Sequence, residues 1–135
     1  MIFPYWETLR GGEVRFLPLI DLRVHNGTRS LQMDALVDSG ADHSVLGNEV
    51  AVDLGISPNS GQLVTVVGAG GYELEGFLTE VTFEIGKHRW TAPVIFSDAA
   101  RGRAILGQIG FFAFFSVTFR YQKRELDIRK NRGRG

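Results

Sequence analysis

The chain has no cysteine, which excludes disulfides, thiolate catalysis and cysteine-based zinc sites together. Its three histidines, His25, His43 and His88, follow no ligand-like spacing, so no metal site is expected. His25 belongs to a turn sequence, His25-Asn26-Gly27-Thr28. No apolar run is long enough to span a membrane, and the Phe111 to Phe115 run is far too short. The start, Met1-Ile2-Phe3-Pro4-Tyr5-Trp6-Glu7, has neither the basic residues nor the sustained apolar stretch of a signal peptide, so a cytoplasmic protein is expected. Repeats and interdomain linkers are also missing.

What is present suits one compact domain. The chain has 135 residues, 44% of them hydrophobic, and ten Phe supply core bulk. Lys and Arg together number 15, as do Asp and Glu, but the charge is unevenly spread. From Arg120 to Gly135 there are seven basic residues against Glu125 and Asp127. Such a basic end could meet nucleic acid or an acidic partner. It lacks the stacking aromatics of a single-strand binder, and reads better as a solvated terminus, so no nucleic-acid partner is expected.

The pattern along the chain is mostly strand. Residues 14–24 and 29–37 predict a hairpin turning at Asn26-Gly27, and strands follow at 62–67, 72–85 and 88–96, the last two joined by Gly86-Lys87. A short helix is predicted over Asn48 to Leu54, capped by Asn48 and stopped by Gly55. A strand at 103–106 leads to a second short helix at 108–114, and a hairpin of 116–121 with 125–129 closes the chain. Residues 1–13 are read as a loose N-terminal extension, 14–130 as the domain and 131–135 as a flexible basic tail.

The most informative segment is Leu36-Val37-Asp38-Ser39-Gly40-Ala41-Asp42-His43-Ser44-Val45-Leu46. A carboxylate at the end of a buried strand is costly unless it is paired or used. Asp-Ser-Gly alone is also an ordinary turn sequence. Here it stands between apolar runs, which favours a working carboxylate over a plain turn. Two later segments carry their own patterns. Val66-Val67-Gly68-Ala69-Gly70-Gly71-Tyr72 is a glycine-dense tip between strand-like arms, and has neither the Lys-Ser/Thr nor the following helix of a phosphate loop. Ala104-Ile105-Leu106-Gly107 ends a strand in a glycine, where one backbone can thread close to another.

Taken in order, these three segments resemble the retropepsins, the single-lobed, homodimeric aspartic proteases. The resemblance runs from about Phe16 to Phe119. It implies an all-β fold, a closed barrel with a flap hairpin and one or two short helices. It implies Asp38 as the catalytic residue, within the active-site loop Ser39, Gly40, Ala41 and Asp42. Gly68, Ala69, Gly70 and Gly71 would form the substrate-binding flap tip, with Leu106 and Gly107 supporting the loop.

Only one Asp-Ser-Gly is present, so the second carboxylate would come from another copy, across a twofold axis. The implied activity is endopeptidase cleavage of extended peptide or unfolded protein, with no cofactor and no membrane partner. Ser39 would form a hydrogen-bonded lock across the dimer. Gln108 stands where retroviral members carry an arginine that pairs with the position of Asp42, so that ion pair is not expected. Val45, Val67, Ile95 and Ala104 are candidate pocket-lining residues. The rival reading is a peptide-binding or assembly module on the same barrel.

Overall fold

The computed structural model describes residues 1–67, 71–100 and 102–133. Twelve strands and one α-helix are present among them: β1 (Ile2–Pro4), β2 (Trp6–Arg10), β3 (Glu13–Leu17), β4 (Leu19–Asn26), β5 (Arg29–Val37), β6 (Val45–Gly47), α1 (Asn48–Asp53), β7 (Gln62–Val67), β8 (Glu73–Ile85), β9 (His88–Ser97), β10 (Ala104–Leu106), β11 (Phe115–Arg120) and β12 (Glu125–Lys130).

Six strands close a ring in the order β4-β5-β10-β6-β9-β8, and β8 returns to β4. The long β8 makes this possible. Its C-terminal part pairs with β4, Val24 opposite Phe83, while its N-terminal part carries β7, Val67 opposite Glu73. Tight turns join three hairpins. Gly27 (φ +61°) and Gly86 (φ +57°) each begin a two-residue turn, and Gly11 and Gly12 (φ +59° and +80°) make a third. The expected strands from 62 to 97 and the turns at Asn26-Gly27 and Gly86-Lys87 lie where the sequence places them, within a residue.

Alternation fills the barrel. In β4, Ile20, Leu22 and Val24 are buried while Asp21 is exposed and Arg23 half-exposed. They meet Phe83 and Ile85 of β8, Leu126 and Ile128 of β12, and an aromatic group around Trp90. Trp90 stacks on Phe83 with centroids 5.4 Å apart and meets Phe115 edge-on at 4.8 Å. A smaller apolar cluster, Val45, Ile95 and Ala100 with Val64, Val66, Leu74 and Leu78 packed on it, lies under the β7–β8 hairpin.

Four local expectations are corrected. Residues 1–12 are not loose: β1 adds to β12 (Ile2 opposite Asp127), and β2 with β3 forms a hairpin. The expected strand 14–24 breaks at Pro18, which has no N–H to give a ladder; its carbonyl instead accepts the Val37 N–H at 3.0 Å. The helix over 108–114 is a series of turns. Phe111 and Phe112 both donate to the Gly107 carbonyl, and Gly110 at φ +105° stops a regular helix from propagating. Asn48 is not the cap of α1: Gly47 holds that position and makes no side-chain bond, while the Asn48 amide donates to Asp98 at 2.9 Å.

The chain end is ordered further than expected. The Asn131 N–H donates to the Phe114 carbonyl at 2.8 Å, and the Ser116 hydroxyl donates to the Asn131 side chain. The last part of the expected tail, residues 134–135, lies outside the described residues. Among the described residues no helix is long and apolar enough to cross a membrane.

Two carboxylates tie the strands together electrostatically. His25 Nε2 lies 2.6 Å from Glu84 Oε1 across the β4–β8 closure, and that hydrogen bond, helped by Arg89, holds the Glu84 carboxyl below its ordinary value. Burial alone would raise the Asp127 carboxyl, but Arg129 and the amino terminus outweigh it and lower it. A lowered carboxyl stabilises the fold above its unfolded value, and that stabilisation is lost as pH falls through the folded value. The melting temperature is therefore expected to hold from neutral pH down to about pH 5 and then fall through about pH 4 and below. Scanning calorimetry across that range checks it, and the fall should be shallower in Asp127→Asn.

Candidate active site

β5 ends at Val37, and the chain passes straight into Asp38. Parallel pairing with β10 sets Leu106 opposite Val37, and the Asp38 N–H donates to the Leu106 carbonyl at 2.9 Å. The Asp38 backbone is thus fixed by the barrel wall. Its Oδ1 accepts the Gly40 N–H at 2.9 Å, and the Ala41 N–H returns to the Asp38 carbonyl at 3.2 Å. Oδ2 has no hydrogen-bond partner among the described residues. Asp38 is half-buried, whereas Ser39 and Gly40 are exposed.

The segment after β10 braces this loop from below. Gln108 donates its backbone N–H to the Ala41 carbonyl and its side-chain Nε2 to the Ser39 carbonyl, both at 2.8 Å. In place of the missing arginine, a neutral amide grips the loop backbone. Asp42 is exposed, with no cation within 4.0 Å of its carboxylate among the described residues. Its carbonyl accepts from Ile109 at 2.8 Å. Buried Ser44 joins the two segments: its Oγ accepts the Gly107 N–H and donates to the Ile109 carbonyl, each at 3.0 Å.

Gly107 is there because nothing larger fits. A Cβ at this position would stand 2.5 Å from the His43 carbonyl oxygen and 2.6 Å from that of Ala41. These are backbone atoms of the loop, so Gly107→Ala must push it aside. The substitution is expected to destabilise by about 1–3 kcal/mol, with a loss of peptidase activity larger than the unfolded fraction explains. Urea unfolding and steady-state kinetics on the same variant check this.

Above the loop lies a cleft of about 190 Å³. Asp38, Gly40, Ala41, Asp42 and His43 form its floor, Val45 and Ile105 its wall, and Val66, Val67 and Leu74 of the β7–β8 hairpin its roof. Of the four pocket candidates, Val45 and Val67 line it. Ile95 and Ala104 do not, being 0% and 2% exposed within the core. Ile105, Leu74 and His43 take part instead. Ile105 is the half-exposed residue of β10, between buried Ala104 and Leu106, a difference that three apolar residues in a row do not show.

Gly71 lies at the end of the expected flap tip, exposed and at φ +81°, while Gly68, Ala69 and Gly70 lie outside the described residues. A larger groove, about 790 Å³, runs between α1 and β8. It does not reach Asp38 and shares only Leu74 with the cleft.

A half-exposed carboxylate opens this loop, a threaded glycine locks it, and the β7–β8 hairpin covers it. Residues 20–109 match the family model described as aspartyl protease. The chain belongs to that family. Retropepsin-like aspartic proteases are also its structural neighbours. The EIAV protease, solved with the inhibitor HBY-793, aligns with a TM-score of 0.54 at 25% identity, over 68% of this chain and 82% of that one. A retropepsin-like aspartic protease from Rickettsia conorii aligns with a TM-score of 0.62 at 22% identity, over 96% of this chain and 97% of that one. No curated protein sequence matches the chain.

The family is one of aspartic-type endopeptidases, and the retropepsin-like barrel of this member is the single-lobed all-β architecture that its sequence predicts. The Rickettsia alignment covers nearly the whole chain.

Proposed function

We propose that the protein hydrolyses peptide bonds with a dyad made of Asp38 and the Asp38 of a second copy, meeting on a twofold axis. The observation that carries this is the state of Asp38 itself. It is rigidly held, one oxygen is bonded to Gly40, the other is without a partner among the described residues, and it forms the floor of a cleft. The chain offers one such carboxylate, and aspartic proteolysis needs two.

Two carboxylates in contact cannot both ionise cheaply, so the pair shares one proton, and its titration belongs to the pair. The ionised member takes a proton from a water, which attacks the scissile carbonyl carbon. The protonated member gives its proton to the carbonyl oxygen, forming a tetrahedral diol. A proton then passes to the amide nitrogen as the C–N bond breaks, releasing an amine and a carboxylic acid. No cofactor and no covalent intermediate take part.

The substrate lies extended between loop and hairpin, bonded through its backbone like an added strand. Gly40 and Asp42 would meet its main chain from below. The tip at 68–71 would close over it, and Ser39 would lock the two loops together. Apolar Val45, Ile105, Val66 and Leu74 favour apolar side chains beside the scissile bond. A cytoplasmic setting suits a domain without cysteine, which gains nothing from an oxidising compartment.

The test is incubation of the purified protein with unfolded protein and a peptide library, from mildly acidic to neutral pH, in water enriched in oxygen-18. The reading predicts new termini by mass spectrometry, with label in each new carboxylate. Peptide binding without cleavage at any pH would replace the enzyme by a binding module.

A further inference from the structure

The β2–β3 hairpin has no part in the barrel or the cleft. It is a two-stranded sheet of its own, paired with no other strand among the described residues. Trp6 opposes Leu17 at its base, and Arg10 opposes Glu13 at its tip. It is fixed near the base, where the Tyr5 N–H donates to the Arg124 carbonyl at 2.8 Å and the Arg124 guanidinium lies 4.0 Å from the centre of the Phe16 ring. Further out, Leu9 and Val14 face each other on one side of the ladder, 73% and 50% exposed. A lone two-stranded hairpin is marginal in water, and an apolar pair at its end adds no stability while it stays wet.

Its position indicates what covers it. β3 ends at Leu17, and the next residue, Pro18, is bonded through its carbonyl to Val37, the neighbour of Asp38. β4 and β5 are antiparallel, with Leu19 opposite Leu36. The chain therefore enters β4 at the same end of the barrel at which β5 delivers Asp38. The base of the arm thus lies at the end of the barrel where a second carboxylate has to arrive.

The terminal strands are already engaged within one subunit, since β12 has β1 on one side and β11 on the other. The arm's charges also suit its own copy. Glu7 and Glu13 balance Arg10 and Arg15, so two arms meet without net repulsion and with both signs on offer.

We propose that this hairpin is a dimer clamp: each subunit lays its arm on the other, buries Leu9 and Val14 there, and so holds the two Asp38 loops together. The proposal rests on the dyad reading and names the element that assembles it. In a twofold contact every substitution acts twice.

The test pairs a Leu9→Glu/Val14→Glu variant with Val52→Glu, a control at an equally exposed residue on α1 (74%). Circular dichroism shows that each is folded, sedimentation equilibrium gives the dissociation constant, and peptidase activity per subunit is followed across protein concentration. The arm variant is expected to raise the dissociation constant at least about 100-fold. Its activity should be lost at low concentration and regained at high concentration, with Val52→Glu unchanged. A folded arm variant that stays as tightly dimeric and active as the parent overturns the clamp and leaves the dyad standing. So does equal weakening by Val52→Glu. A parent protein that cleaves as a monomer, at a rate per subunit independent of concentration, overturns clamp and dyad together.

Discussion

Replacing Asp38 with Asn is expected to lower kcat/KM for peptide cleavage by about 10³-fold or more while leaving the unfolding midpoint almost unchanged. The two halves of that expectation have separate causes. Asn keeps the shape of Asp and an Oδ1 that accepts the Gly40 N–H, so the loop contact seen at 2.9 Å survives. The residue is half-exposed, and the backbone bond from Asp38 N–H to Leu106 is untouched. What disappears is a group able to take or give a proton at the cleft floor. Steady-state kinetics and urea unfolding on one preparation separate the effects. A variant that keeps most of its activity would place the chemistry elsewhere.

Trp90→Ala is expected to cost about 3–5 kcal/mol of stability, among the largest single losses in the chain. Trp90 is 8% exposed, lies against Phe83, Phe111, Phe114 and Phe115, and donates Nε1–H to the Gly110 carbonyl at 2.8 Å. Its removal opens a cavity among rings that are too rigid to refill it, and leaves a buried carbonyl unpaired. The effect reaches the site through one turn. Gly110 packs on Ser44, whose hydroxyl links the Gly107 and Ile109 backbones, and these brace the Asp38 loop. Trp90→Phe keeps most of the ring packing and loses the hydrogen bond, so it should cost less than half as much. Urea denaturation of both variants, with unchanged slope, checks the order.

Much of the barrel could be read from the sequence because its signals are local. Alternation in 19–37 and 73–97, with glycine turns at 27 and 86, defines paired strands without knowledge of their partners. Asp38-Ser39-Gly40 is turn-like by itself, and only its place at the end of an apolar strand, where a carboxylate is costly unless paired or used, singles it out. The errors came from distance. Ile2 to Pro4 become a strand only because Leu126 and its neighbours, more than a hundred residues later, present an edge.

Nor does local pattern reveal which side chains of a parallel pair face the cleft. Ile95 and Ile105 are equally apolar, yet the β6–β9 pairing buries the first while β10 turns the second toward Asp38. In the sequence Gln108 is only the absence of an arginine. Its grip on Ser39 depends on the length of its amide side chain and the threading of Gly107, and only three-dimensional placement shows it.

The most direct measurement mixes parent subunits with Asp38→Asn subunits in equal amounts, lets them exchange, and follows peptide cleavage as the mutant fraction is varied at constant total protein. If each active site needs Asp38 from both copies, activity falls as the square of the parent fraction, to roughly a quarter at equal mixing. A linear fall, to roughly a half, would mean that each Asp38 works independently of the other copy's and would contradict the shared dyad.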